Sequence, residues 1–111
     1  MTEKDKTKSA LLDPKRGTLF SEMLAYWCCV VSVKDGNPTC IEGNRNNLSI
    51  RKYESAEELE KRYRYGNIEG HWIRLNSTSE SNAKRFEDAF IAAQHEEKGE
   101  KRDAIIEILT A

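Results

Sequence analysis

An α+β fold, with helices packed on a small antiparallel sheet, is what this sequence predicts, and three observations carry the prediction. Residues 25–33 are rich in Tyr, Trp, Cys and Val and are apolar on both alternating faces. An Asp35-Gly36 turn signal follows directly. Two capping-box spacings, Ser55 with Glu58 and Ser77 with Glu80, precede stretches whose apolar residues recur every three or four positions. The expected architecture is a sheet of three to four strands packed by an amphipathic C-terminal helix and one shorter helix.

Residues 1–12 are mostly Lys, Thr, Ser and acids, a composition that cannot repay the entropy of ordering, so they are expected to form a disordered tail. Residues 13–111 then make a single domain. Asp13-Pro14 suits the start of a helix through residue 24, with Leu19, Phe20, Met23 and Leu24 on one side, although Gly17 weakens it. Residues 25–33 read as a central strand covered on both sides, at least in part. The turn after it demands a return strand near 39–42. A second turn at 43–47 and alternation of Leu48 and Ile50 place a third strand at 48–53, which completes a meander.

Ala56, Leu59 and Tyr63 then sit at helical spacing, and Gly66 is placed to end that helix. Residues 71–75 read as a fourth strand, with Trp72 and Arg74 on one face and His71, Ile73 and Leu75 on the other. Ala83, Phe86, Phe90 and Ala93 define a longer amphipathic helix. Beyond Gly99, Ile105, Ile106, Ile108 and Leu109 suit a short helix better than a strand. Four large groups exceed one apolar stripe, so this segment is expected to dock on its own sheet or on a second copy of the chain, as a homodimer. The helices are expected against one face of the sheet.

Composition limits the function. Eighteen Lys and Arg nearly balance 19 Asp and Glu, which argues against coating nucleic acid by bulk charge. The longest apolar run, residues 24–31, is far below the roughly 20 residues of a membrane helix. The charged N-terminus has no signal-peptide core, so a cytoplasmic location with reduced thiols is expected for Cys28, Cys29 and Cys40. Adjacent Cys28 and Cys29 point to opposite faces of a strand and cannot both serve one tetrahedral metal without distortion. No phosphate-cradling loop, nucleophile elbow or H-E-x-x-H is present. The expectation is a non-enzymatic protein without metal or cofactor.

Two binding readings remain. In the first, the chain is a protein-binding regulator or inhibitor acting through a sheet face, with Trp72, Arg74 and Tyr65 as contacts and Arg51 and Arg64 on the rim, since Trp and Arg are enriched at interface hot spots. The ordinary structural reading of that pair is a Trp covering the sheet with Arg snorkelling past it. In the second, Lys61, Arg62, Arg64, Tyr53 and Tyr65 bind RNA or single-stranded DNA, cations on phosphates and rings on bases. Against it, seven basic residues between 45 and 74 face five acidic ones, and Glu57, Glu58 and Glu60 share the helix with the cations. Intrahelical ion pairs at spacing four explain such a pattern without a ligand.

Overall fold

The computed structural model describes residues 3–22, 26–44, 47–64 and 73–95. Chain order is α1 (Glu3–Leu12), β1 (Thr18–Glu22), β2 (Tyr26–Lys34), β3 (Asn37–Asn44), β4 (Asn47–Lys52), α2 (Ala56–Arg64), β5 (Arg74–Thr78) and α3 (Glu80–His95). The strands form a five-stranded antiparallel sheet in the order β4-β3-β2-β1-β5. The fold is α+β as the sequence predicts, with one more strand and one more helix.

The β2-β3-β4 meander is the part that local chemistry dictates. Asp35 and Gly36 both hold positive φ, 54° and 81°, the pairing a twisted two-residue hairpin needs, and Lys34 therefore faces Asn37. β2 lies at the centre of the sheet, and its alternation splits the core in two. Cys28 and Val30 pack on one face with Phe20, Cys40, Leu59 and Tyr63. Cys29 and Val31 pack on the other with Leu19, Ile41, Phe86 and Ala89. Helices consequently cover both faces: α1 and α2 one side, α3 the other. The expectation of helices against a single face is corrected here, and the doubly apolar pattern of β2 is its physical reason.

Two further expectations are overturned near the N-terminus. In place of a disordered tail, Glu3–Leu12 is a helix that buries Thr7 and Leu11, and the Leu75 N–H donates to Thr7 Oγ1 at 2.9 Å. Its sequence has no apolar stripe because only one narrow edge, Thr7, Ala10 and Leu11, meets the sheet. In place of a helix over 13–24, Thr18–Glu22 is a strand. Adjacent Leu19 and Phe20 enter opposite cores, which a strand allows and one helix face does not. Asp13 closes α1, its N–H donating to the Ser9 carbonyl, rather than opening a new helix.

The later elements fall close to their predicted places. Ser55 caps α2, its Oγ accepting from the Glu58 N–H at 3.1 Å. The Glu58 carboxylate reaches back to the Glu54 N–H, one residue beyond the expected partner. The fourth predicted strand starts three residues late, at Arg74. The α3 cap is Ser79 rather than Ser77, with the Asn82 N–H on the Ser79 Oγ and carbonyl. Ser77 belongs to β5. The segment with Ile105, Ile106, Ile108 and Leu109, and the dimer expected from it, lies outside the described residues. Among the described residues no helix is long and apolar enough to cross a membrane.

Gly17 joins β2 to the turn between β5 and α3. Its N–H donates to the Val30 carbonyl, and its carbonyl accepts from the Ser79 N–H and from Asn82 Nδ2 at 3.0 Å. Asn82 is buried, and its Oδ1 accepts from Arg85. Above this knot Arg16 donates to Glu80, Glu87 and the Val31 carbonyl, clamping α3 to the sheet from the solvent side. Gly17 has φ +92°, and a Cβ there would stand 2.1 Å from the Ser79 carbonyl oxygen. Gly17→Ala is therefore expected to lower stability by at least about 2 kcal/mol, from left-handed strain plus displacement of the α3 cap. A urea melt with an unchanged midpoint would refute this.

Candidate functional site

The first layer of the site is a carboxylate that the sheet carries into the core. In β3, Cys40 and Glu42 are two apart and so share a face, the one beneath α2. The Glu42 side chain is only 2% exposed. Burying a charge is costly unless donors surround it, and here they do. Tyr53, which follows β4, donates its hydroxyl to Oε1. Tyr26 of β2 and Tyr63 of α2 each donate to Oε2 at 3.2 Å. Arg62 adds Nε at 3.2 Å and a terminal nitrogen at 3.0 Å, and Arg51 Nε stands farther off at 3.8 Å. The Arg62 guanidinium also lies 5.6 Å from the centre of the Tyr63 ring.

Each proton in this cluster is held in place. Burial pushes the Tyr53 phenol well above its usual range, and the Glu42 charge pushes it further. Tyr63 moves the same way, through burial first and then the charges around it. Tyr26 rises through burial, against a partly opposing hydrogen bond from Tyr63. Burial works against the Arg62 charge, but Glu42 together with Tyr63, Tyr26 and Tyr53 more than offsets it and Arg62 stays protonated. Both Glu42 oxygens are thus occupied by donors that keep their protons. The arrangement fastens α2 to β3.

Above this anchor lies an open groove of about 460 Å³, lined by Arg51, Lys52, Tyr53, Glu58, Lys61 and Arg62. Arg51 and Lys52 end β4, while Glu58, Lys61 and Arg62 come from α2, so two elements adjacent in sequence form the two walls. Four cations meet one carboxylate in the lining, and Glu42 below compensates one more. Lys52 and Lys61 are exposed, and among the described residues neither side chain has an ion pair or hydrogen bond. Two unpaired charges at one opening make it an anion-accepting surface.

The predicted site residues divide across the molecule. Arg51 is on β4 and Arg74 on β5, the two opposite edges of the sheet and about 19 Å apart at normal strand spacing. Trp72 and Tyr65 lie outside the described residues, and Arg64 is the last residue of α2. Of the nucleic-acid set, Lys61, Arg62 and Tyr53 do come together in the groove. Tyr53 is 6% exposed with its hydroxyl on Glu42, so its ring is not free to stack on a base. Glu42 and Tyr26 escaped the sequence reading altogether. The available signal was a carboxylate two residues from a cysteine on a strand whose inward face had to be buried.

The three thiols are buried and free. Cys29 is pushed up to about 12, by burial first and then by the neighbouring Cys28, and its sulfur lies 3.9 Å from the Val30 carbonyl. Cys40 is raised by its contact with Cys28 and by burial. Among the described residues no cluster of His, Cys, Asp and Glu could hold a metal ion. No family model, curated protein or solved structure matches this chain.

Two outcomes follow from these shifts. The native protein should resist alkylation at pH 8 and react at all three cysteines only after unfolding, as counted by mass; a singly labelled folded species would contradict the burial. At high pH the sign is fixed, because raised phenol and thiol pKa values mean that the native state retains protons the unfolded chain releases. That stability is complete below about pH 8.5, where unfolded thiols begin to titrate, and drains further above about pH 10 with the tyrosines. Of the four tyrosines, no more than one should give phenolate absorbance before the urea midpoint collapses. Early titration of two or more would show that the cluster is open to water.

Proposed function

We propose that this protein is a non-enzymatic binding module whose β4-α2 groove takes an acidic segment of another protein. The observation that carries this reading is the pair of exposed lysines without side-chain partners, Lys52 and Lys61, at a groove where Arg62 is fixed on a buried carboxylate. Arg62 is held by Glu42, so this part of the groove is ordered before any partner arrives, which lowers the ordering entropy that opposes binding. A protein partner fits better than nucleic acid. The aromatic ring in the groove is buried, the whole chain has a net charge of −1, and α2 carries Glu57, Glu58 and Glu60 among its cations. The contact set centred on Trp72 and Arg74 gives way to Lys52, Lys61 and Arg51, with Arg62 as the positioning residue.

The test is anisotropy of a labelled polyglutamate peptide against the wild-type chain and a Lys52→Glu, Lys61→Glu double variant. Both lysines are exposed, so the variant should fold as the parent does. Binding is expected to weaken at least tenfold in the variant, about 1.4 kcal/mol, and to weaken with added salt. Equal affinity in the two proteins would overturn the reading. Tighter, salt-steep binding of oligouridylate than of the peptide would replace it with the nucleic-acid one.

A further inference from the structure

The two edges of the sheet are not treated alike. At the β5 edge, α1 lies alongside and Thr7 occupies the Leu75 N–H, while the β1-β5 register slips between Leu19 and Phe20. Covering and irregularity are the usual means by which an edge strand is kept from pairing with another chain. The β4 edge has neither. Its register with β3 runs unbroken through six pairs, from Thr39↔Lys52 to Asn44↔Asn47, it contains no proline, and among the described residues nothing pairs with its outer side.

The side chains along β4 alternate in chemistry as well as in direction. Arg51 stands opposite Cys40, on the α2 face where Lys61 forms the far wall of the groove. Ile50 stands opposite Ile41, on the α3 face, and is 47% exposed; Leu48, two residues earlier on that face, packs against the α3-side core. A strand laid along β4 would meet Arg51 on the α2 face, with Lys61 behind it and Ser49 and Asn47 farther along, and an apolar ledge of Ile50 and Leu48 on the other face.

We propose that the acidic partner segment binds as a sixth strand along β4, with a carboxylate toward Arg51 and Lys61 and β-branched groups on the alternate positions toward Ile50 and Leu48. This inference rests on the groove reading above and adds the backbone geometry to it. Main-chain hydrogen bonds to the open edge supply affinity, and the alternate side chains supply the selection. An acidic loop or helix in the same groove would use the lysines but neither the edge nor Ile50.

The experiment uses a ten-residue peptide of alternating Glu and Val and two derivatives, N-methylated on the Glu residues in one and on the Val residues in the other. All three have the same charge. In an edge strand only every second N–H faces the sheet, so one derivative is expected to lose at least tenfold in affinity for the full chain while the other binds within about threefold of the parent. Ile50→Asp is expected to weaken the parent peptide at least fivefold with an unchanged urea midpoint. If both derivatives bind like the parent, or both lose equally, strand addition is overturned while the acidic groove stands. If the parent peptide fails to bind at low salt, both are overturned.

Discussion

One buried negative charge organises half of this molecule. The Glu42 carboxylate sits under α2 in a layer of aromatic and sulfur-bearing side chains, where a lone charge would cost several kcal/mol. The chain meets that cost with groups from β2, from the turn after β4 and from α2. Three hydroxyls and a guanidinium converge from segments that share no local sequence signal. Because the donors come from separate elements, the carboxylate fixes their mutual positions more closely than apolar packing alone would. The α2 wall of the groove owes its geometry to this cluster, since Arg62 is bonded to Glu42.

The other half is organised by backbone. Gly17 lets β1 approach the β5-α3 turn closely enough for direct carbonyl contacts, and buried Asn82 completes the join. Arg16 adds charge outside it, and its hydrogen bonds lower the Glu80 carboxyl from its ordinary value. The two halves meet along β2, whose cysteines separate into the two cores. The small thiols fill space between strand and helix on each side, which accounts for three cysteines in a chain where none is placed for reaction.

What the sequence disclosed follows the range of the forces involved. The Asp-Gly hairpin, the Ser55 cap, the α2 stripe of Leu59 and Tyr63 and the α3 stripe of Ala83 and Phe86 are local patterns, and all stand where the residues put them. β1 and α1 were misread because their structure is imposed from a distance. Thr18–Glu22 is a strand since β2 and β5 flank it, and Glu3–Leu12 is a helix since β5 and α2 accept its narrow apolar edge. The candidate site was half legible. Lys61, Arg62 and Tyr53 were legible as one set, but composition could not show that Arg62 and Tyr53 are committed to an interior carboxylate and Lys61 is not. Neither could it show that Arg51 and Arg74 end on opposite edges.

The contact between Gly17 and Asn82 spans 65 positions of sequence, whereas β2, β3, β4 and α2 are each joined to the next by short turns. Closing a long loop costs entropy before any contact repays it. The meander and α2, with the carboxylate cluster between them, can therefore assemble as a unit from residues 26–64 alone. The pairing of β1 with β5 and the seating of α3 must wait for the rest of the chain. On a ribosome the groove would take shape before the fold is closed, and the β1 edge, rather than the β4 edge, would be the temporary opening that α3 and β5 later shut.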